Sequence, residues 1–222
     1  TPIDYRKLTA DFKSFERYGV VMPPDDKDAA LLPHRINGKW ALIHRPSGGI
    51  GAHMWLSYSN DLIHWGEHKL MLEARRGSWW DANKIGLCCP PIETALGWLT
   101  IYHGVRQPCS GCLYRLGLAL FDLEQPENCI LRSEEWVFGP EESYERFGDV
   151  GNVVFPGGFV IDPDGDTVRL YYGAADTVIG LATASISEML DYLEKYGRRY
   201  VPRSSREQPP GDVPYMDHDR RA

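Results

Sequence analysis

The stretch GDTVRLYYGAAD, residues 165–176, has the features of a buried strand. A turn residue precedes an apolar run, and two alanines then lead to a carboxylate. Two other segments share this pattern, NGKWALIHRPSG at 37–48 and LGWLTIYHGVRQ at 96–107. Each is followed by a second strand-like segment of small residues that ends in a polar turn. Self-similarity on this scale indicates a repeat architecture.

The spacing of the repeat predicts an all-β propeller. Trp40, Trp98 and Val168 occupy equivalent places, 58 and 70 residues apart, which suits four-stranded blades with loop insertions. The segment LTADFKSFERYGVV at 8–21 resembles only the second half of a repeat. We therefore expect the chain to begin in mid-repeat, with the first blade or more encoded upstream.

The domain organisation follows from the same pattern. Residues 1–197 are predicted to form a partial propeller, and residues 198–222 a polar tail that is either disordered or packed as an extended strap, because they are rich in proline and charge. Residues 186–196, ISEMLDYLEKY, fit a short helix or the last strand of a blade.

Composition narrows the class of partner. The net charge of −7 disfavours nucleic acid and anionic membranes as partners. The sequence contains no apolar run of about 18 residues, so no membrane span is predicted. No signal peptide is recognisable either. With five cysteines, an odd number, in a chain of this size, we expect reduced thiols and a cytoplasmic location.

The cysteines also raise the question of a metal. Cys109 and Cys112 have the spacing of a zinc ligand pair, and Cys88 and Cys89 are the candidate second pair. Adjacent cysteines chelate a tetrahedral ion poorly. We therefore predict no metal site.

Polar residues at equivalent repeat positions predict a functional site. His44, Arg45, His103 and Asp176 follow or end the three repeated strands. If these strands are the innermost ones of their blades, the four side chains converge on one axial funnel, although a histidine at a strand end is more often structural. Loops held by a rigid scaffold are where binding residues concentrate.

Three further stretches add candidates. GSWWDANKIG at 77–86 places Asp81 and Lys84 beside two tryptophans, which suits sugar rings or, alternatively, a surface loop over a buried tryptophan pair. GDVGNVVFPGG at 148–158 offers Phe155 as a pocket wall or forms a tight strand entry. PPDDKDAALLP at 23–33 is predicted as a turn on the funnel rim.

At these residues the chain resembles glycoside hydrolase family 130, the β-mannoside phosphorylases and β-mannosidases. The resemblance spans about residues 8–195 and rests on four stretches, DDKDAALLPHRINGKWALIHRPSG, WWDANKIGLCCPPIETALGWLTIYHGV, DVGNVVFPGG and LYYGAAD. It implies a five-bladed β-propeller. It also implies substrate-binding roles for Asp176, His103, Tyr114, Phe155 and Asp28, and phosphate-binding roles for Arg45, Lys84 and Lys27.

The implied reaction is inverting phosphorolysis of β-mannosides, of the β-mannooligosaccharide or mannosyl-glucose type, to α-mannose 1-phosphate. Inorganic phosphate is the co-substrate, no other cofactor is needed, and a homo-oligomer is compatible with the resemblance. The Glu-Asp-Pro/Gly-Arg motif that carries the family's general acid does not occur in these 222 residues. We expect the acid upstream of Thr1, with Asp81 as the one nearby substitute, and no phosphorolysis by this chain alone.

Three alternatives stay open at this point. A β-mannosidase would need a second carboxylate, about 6.5–9.5 Å from the first, to activate water; the candidates are Asp149, Glu141, Glu142 and Glu93. An arabinanase-like enzyme would need three channel carboxylates, of which only Asp176 is placed. A non-catalytic sugar-binding propeller would explain the absent acid motif.

Overall fold

The protein is described by a computed structural model that covers residues 5–8, 11, 13–47, 52–87 and 89–200. Two short helices, α1 (Ser143–Arg146) and α2 (Ile186–Tyr196), accompany fifteen strands within these residues. The strands are β1 (Tyr5–Leu8), β2 (Glu16–Val20), β3 (Asp26–Leu31), β4 (Trp40–Pro46), β5 (Met54–Ser59), β6 (Gly66–Leu72), β7 (Lys84–Leu87), β8 (Ile92–Thr94), β9 (Gly97–Arg106), β10 (Leu113–Phe121), β11 (Cys129–Ser133), β12 (Val154–Ile161), β13 (Thr167–Ala174), β14 (Val178–Ser185) and β15 (Gly197–Arg199).

The strands form antiparallel sheets that follow one another along the chain. After the small sheet β1-β2, the first sheet is β3-β4-β5-β6, the second is β7-β9-β10-β11-β15 with β8 paired to β9, and the third is β12-β13-β14. Strand β7 packs against β3, β4 and β5, and β12 packs against β9 and β10. Successive sheets are therefore neighbours, and the first strand of the second and third sheets contacts the sheet before it.

The three repeated segments form β4, β9 and β13, and each is the second strand of its sheet. The expectation that they are the innermost strands is therefore wrong, because β3, β7 and β12 stand at the edge. The turn predicted at 23–33 is also wrong, since Asp26–Leu31 form β3. The polar residues of β3 are compatible with a strand because β4 supplies the backbone partners, and strand preference depends strongly on such context.

Strand β9 is the strand around which the core is built. Trp98 and Tyr102 are fully buried in a cluster shared with the first sheet. Leu99 and Ile101, on the other face, are buried in a cluster shared with the third sheet and α2. Full burial of a large apolar side chain contributes about 1.5–3 kcal/mol. Strand β9 is thus held rigidly by the core, and this rigidity fixes the position of side chains near its end, such as His103.

Local signals in the sequence set the ends of several elements. Asn37 and Gly38 both have positive φ, 48° and 81°, as a two-residue hairpin turn requires. Helix α2 begins after Ser185, whose hydroxyl accepts the amide hydrogen of Glu188 at 3.1 Å. Residues 186–196 therefore form the helix rather than a strand.

The chain beyond α2 returns to the second sheet. Strand β15 pairs with β11, so the first residues of the predicted tail lengthen that sheet. The rest of that tail, residues 201–222, lies outside the described residues. No helix in the described part of the chain has the length and apolar character needed to cross a membrane.

Candidate functional site

Two buried side chains, Arg45 and His103, and the largely buried Asp28 meet where β3, β4 and β9 approach one another. Arg45 Nη2 lies 3.0 Å from Asp28 Oδ2, and Arg45 Nη1 lies 3.5 Å from His103 Nε2. His103 Nε2 is also 3.5 Å from Asp28 Oδ2. Arg45 is 4% exposed and His103 1% exposed. This cluster joins the first sheet to the second and brings together three residues that are far apart in sequence.

Burial sets the ionisation of two members of the cluster. The pKa of Asp28 is raised above its usual 3.8 by burial, against the opposing charges of Arg45 and Lys27. The pKa of His103 lies well below 6.5, because burial and then the charge of Arg45 disfavour the imidazolium. A neutral His103 can accept a hydrogen bond at Nε2 from Arg45, which can only donate.

Two lysines add positive charge to the cluster. Lys27 stands opposite Arg45 in the β3–β4 ladder, and Lys84 stands opposite Val105 in the β7–β9 ladder. Neither lysine forms an ion pair with another described residue. Both act electrostatically on Asp28 and on His103. The site therefore presents one guanidinium and two ammonium groups around a single buried carboxyl, an arrangement suited to a phosphate-sized anion.

Aromatic rings line the side of the cluster that faces the third sheet. The ring centroids of His103 and Phe155 are 4.7 Å apart, those of His103 and Tyr114 are 6.0 Å apart, and those of Tyr114 and Phe155 are 6.4 Å apart. Such faces suit the C–H surface of a sugar ring. The predicted aromatic residues thus stand beside the predicted cations.

Asp176 lies at the edge of this wall. It is exposed, follows β13, and has a positive φ of 50°, as does its neighbour Ala175 at 45°. A non-glycine residue in this region is uncommon, and such outliers cluster at functional sites. Burial, Cys112 and the charges of Asp28 and Asp176 raise the pKa of Tyr114, against Arg45. Asp176 therefore acts on the Tyr114 hydroxyl electrostatically.

Gly86 is a part of the site that inspection of the sequence missed. It stands opposite His103 in the β7–β9 ladder, and a Cβ there would collide with Asp28 Oδ2 and lie 2.6 Å from His103 Cε1. A glycine within a strand signals such a close approach, so the segment KIGL could have revealed it.

Replacing Gly86 by alanine should therefore disturb the site itself. We expect the free energy of unfolding to fall by about 1–3 kcal/mol, as overpacked interiors do, and phosphate affinity to fall with it because Asp28 and His103 must separate. Urea denaturation and calorimetric titration with phosphate measure both quantities. The matched control is Gly158→Ala in β12, where nothing lies within 4 Å of an added Cβ; equal losses in both variants would contradict the proposed contact.

The neutral His103 should also make stability depend on pH. Its folded pKa is depressed, so below pH 6.5 the unfolded chain binds a proton that the folded chain does not. Unfolding free energy should therefore fall from pH 7 to pH 5, by up to about 1.4 kcal/mol per pH unit.

Replacing His103 by glutamine should flatten this slope, measured by denaturation at each pH. Asp28 acts in the opposite sense, because its raised pKa adds stability as the pH falls through that pKa towards 3.8. The diagnostic quantity is the difference between variant and parent. The half-exposed His34 supplies the control, His34→Gln, and an unchanged slope in His103→Gln would contradict the assignment.

His44 does not join the cluster, although it precedes Arg45. Successive strand residues point to opposite faces, and His44 is buried with its Nδ1 2.7 Å from Asp26 Oδ2 and its Nε2 2.7 Å from Ser57 Oγ. Ser57 Oγ in turn lies 2.6 Å from His68 Nδ1. His44 therefore ties four strands of the first sheet together and is a structural residue.

Asp81 also lies away from the cluster. It is fully buried, and its Oδ2 accepts from Arg132 Nη2 at 2.7 Å and from the Tyr102 hydroxyl at 3.0 Å. Because Tyr102 and His103 are consecutive in β9, they point to opposite faces of the sheet. The structure therefore does not support Asp81 as a substitute acid.

The carboxylates considered for a hydrolytic base are scattered. Glu93 pairs with His34 at 3.5 Å near the start of β9, at the opposite end of that strand from His103. Glu142 caps α1, and the amide of Glu141 donates to Glu145. The backbone amide of Asp149 donates a hydrogen bond to Thr177 Oγ1 at 3.0 Å, and Thr177 is the residue after Asp176. None of the four contacts the cluster through a described side-chain bond.

The cysteines do not form a metal centre among the described residues. Cys89, Cys109, Cys112 and Cys129 are free thiols, and no group of three or more His, Cys, Asp or Glu side chains in the described ranges could hold a metal ion. Cys88 lies outside those ranges.

Comparison with known proteins gives matches over most of the chain. Residues 3–195 match the model of glycoside hydrolase family 130, described as beta-1,4-mannooligosaccharide phosphorylase. The beta-1,4-mannooligosaccharide phosphorylase of Ruminococcus albus is 35% identical over 85% of this chain and 56% of its own length. The 1,2-beta-oligomannan phosphorylase of a Thermoanaerobacter species is 41% identical over 85% of this chain and 60% of its own. The chain thus spans little more than half the length of these curated relatives.

Solved structures agree with the sequence matches. The beta-1,2-mannobiose phosphorylase of Listeria innocua, in complex with beta-1,2-mannobiose, superposes with a TM-score of 0.81 at 36% identity, over 87% of this chain and 54% of that one. A glycosyl hydrolase of Bacteroides ovatus, at 24% identity and a TM-score of 0.69, covers 82% of this chain and 57% of its own, and shows the fold alone. The predicted all-β propeller is confirmed, with sheets that do not close into a ring within the described residues.

Proposed function

Because the chain belongs to glycoside hydrolase family 130, we propose that it supplies the mannoside- and phosphate-binding side of an inverting β-mannoside phosphorylase. In that reaction a phosphate oxygen attacks the anomeric carbon, the glycosidic C–O bond breaks, and the leaving oxygen takes a proton. Attack from the opposite face converts the β-mannoside into α-mannose 1-phosphate. Phosphorylases named for mannobiose and oligomannan substrates are among the relatives, which supports the substrate class.

The observation that carries the proposal is the charge of the cluster. Arg45, Lys27 and Lys84 surround one buried carboxyl, Asp28. A phosphate nucleophile arrives already anionic, so it needs cations that hold it in line with the anomeric carbon rather than a strong base. A hydrolase would instead need a second carboxylate that activates water.

Each remaining side chain receives a part of the substrate. Tyr114 and Phe155 form the wall against which the mannosyl ring packs. The hydroxyl groups of the ring are bound by Asp176 and by His103, which is neutral. Asp28 positions the Arg45 fork through the 3.0 Å ion pair. It is not assigned as proton donor, because its Oδ2 is engaged in this ion pair with Arg45. The proton donor is assigned to none of the residues in this cluster.

The test uses two readouts. In calorimetry of this chain with β-1,2- and β-1,4-mannobiose, inorganic phosphate should change the affinity for the sugar, because both ligands occupy one site. In a turnover assay of the full-length protein, sugar release should require phosphate and yield α-mannose 1-phosphate. Release of free mannose without phosphate would favour a β-mannosidase on the same fold. Sugar binding that is indifferent to phosphate, with no turnover, would favour a non-catalytic propeller.

A cytoplasmic location is part of the proposal. The product carries a phosphate group, and a charged sugar phosphate is retained by the compartment in which it forms. Fractionation of the source cells, with mannose 1-phosphate formation as the assay, tests this. Activity confined to the extracellular fraction would contradict it.

A further inference from the structure

A second pocket lies behind the candidate site, on the opposite face of the β9–β10 hairpin. Its volume is about 320 Å³. Tyr114 and Arg115 are consecutive in β10 and therefore point to opposite faces, Tyr114 to the candidate site and Arg115 to this pocket. The residues that matter here are Arg76, Arg106, Arg115, Trp79, Trp136 and Glu135.

The hairpin places two of the arginines side by side. Arg106 stands opposite Leu113, and Arg115 stands opposite Gly104. The two arginines are therefore diagonal neighbours on one face, with backbone positions about 7–8 Å apart. Gly104 leaves room for the buried Trp80, which also lines the pocket, since a Cβ there would lie 2.8 Å from Trp80 Cε3. The indole ring of Trp80 therefore lines the pocket together with the two arginines.

The three arginines of this pocket carry more positive charge than its single acid, Glu135, can neutralise. Arg76, Arg106 and Arg115 form no ion pair with a described residue, and Glu135 is the one acid among the lining residues. Burial and then the charge of Arg106 lower the pKa of Arg115, against Glu135. Like charges thus lie close together in a protein whose net charge is −7. A small anion would relieve their repulsion and accept several charged hydrogen bonds.

The adjoining cavity, which shares Arg76 with this pocket, contains arginines that do have acidic partners. It has a volume of about 350 Å³ and is also rich in arginine. There, Arg132 lies 2.7 Å from Asp81 Oδ2, and Arg198 lies 2.7 Å from Glu134 Oε1. The buried guanidinium of Arg132 is therefore neutralised by the protein, whereas the more exposed guanidinium groups of Arg106 and Arg115 form no ion pair with a described residue.

Tryptophan gives the pocket a second kind of surface. The guanidinium of Arg115 lies 4.7 Å from the ring centroid of Trp136, and that of Arg75 lies 4.4 Å from the ring centroid of Trp79. Trp79 remains 40% exposed. Indole faces fit the C–H surface of a sugar, and fixed guanidinium groups fit phosphate oxygens. Both surfaces occur within one pocket.

We propose that this pocket binds a sugar phosphate, with Arg76, Arg106 and Arg115 holding the phosphate and Trp79 and Trp136 the ring. The identity of the sugar rests on the proposed function, whose product is α-mannose 1-phosphate. The pocket is then a second binding site for the product, on the opposite face of the β9–β10 hairpin from the candidate reaction site.

The test begins from a chain whose candidate phosphate site has lost its guanidinium group. In the double variant Asp28→Asn with Arg45→Gln, calorimetry with α-mannose 1-phosphate should still show one binding event, and indole fluorescence should change on titration. Inorganic phosphate should bind this variant more weakly than α-mannose 1-phosphate does, because inorganic phosphate has no sugar ring to pack on the tryptophans. Adding Arg106→Gln and Arg115→Gln should weaken mannose 1-phosphate binding about 10-fold or more.

The control is a matched arginine–indole pair elsewhere. Arg35 lies 4.7 Å from the ring centroid of Trp40 in the first sheet, so Arg35→Gln should leave the affinity unchanged. Arg106→Gln alone, at an exposed position, provides a reading that does not disturb the packing of Arg115 on Trp136.

Two results would overturn the proposal. The first is unchanged mannose 1-phosphate affinity in the Arg106 and Arg115 variants, and the second is equal affinity for inorganic phosphate. Failure of the proposed function would look different: Arg45→Gln would leave phosphate binding and turnover intact, while the effect of Arg106 and Arg115 would persist.

Discussion

Phosphate affinity should fall about 10- to 100-fold when Arg45 is replaced by glutamine. The guanidinium is buried, is held by Asp28 at 3.0 Å, and is the one forked donor in the cluster. Hydrogen bonds to charged groups contribute about 1.5–3 kcal/mol each, and about 1.4 kcal/mol corresponds to a factor of ten in affinity. Calorimetry with phosphate measures the loss directly.

The single variant has a second effect that must be separated from the first. Without Arg45, Asp28 loses its ion-pair partner and keeps the weaker effect of Lys27 and Lys84. Breaking a buried ion pair costs up to about 3–5 kcal/mol of stability. The double variant Asp28→Asn with Arg45→Gln keeps the shape of the pair and removes both charges. It should regain much of the stability but none of the phosphate affinity. Restored phosphate binding in the double variant would contradict the role of Arg45 as the phosphate ligand.

Stability should fall by about 3–5 kcal/mol when Arg132 is replaced by methionine. Arg132 Nη2 lies 2.7 Å from the fully buried Asp81, Nη1 donates to the Glu73 carbonyl at 2.7 Å, and Nε donates to the Tyr102 hydroxyl at 3.0 Å. The variant leaves the Asp81 carboxylate buried with only Arg75, 3.8 Å away, as a counter-charge. Since a domain is stable by about 5–15 kcal/mol, urea denaturation should show a large shift.

An exposed pair of similar geometry provides the control. Arg169 makes two bonds of 2.7 Å to Asp162 but is 45% exposed, so Arg169→Met should cost no more than about 1 kcal/mol. Equal losses in the two variants would contradict the importance of burial.

The variant Asp81→Asn separates a structural role of Asp81 from a catalytic one. If this variant kept full stability but lost turnover, Asp81 would have to be assigned a part in the reaction.

The repeat pattern was enough to predict the strands that carry much of the candidate site. Alternating apolar residues bounded by turns located β4, β9 and β13, and the polar residues near their ends included Arg45 and His103, which the structure brings within 3.5 Å. The resemblance to the family added Asp28 and the aromatic wall. The strands could be predicted because strand periodicity and turn chemistry are local properties of the sequence. The binding roles of these residues stay predictions.

Residues close in sequence were harder to assign than residues far apart. His44 and Arg45 are neighbours, yet one binds Asp26 within the first sheet and the other reaches His103. Asp81 and Lys84 are three residues apart, yet Asp81 is buried beneath the second sheet with Arg132. The direction of each side chain depends on strand register, which long-range pairing sets.

The sequence by itself determined the set of strands, the turns between them and the chemical types available, because these depend on residues within a few positions of one another. Only the tertiary structure decided that β3 is a strand at the edge of its sheet, that Gly86 makes room for Asp28 beside His103, and that Arg106 and Arg115 share a pocket. These facts depend on how whole sheets pack, and packing is fixed by contacts between residues that are distant in the chain.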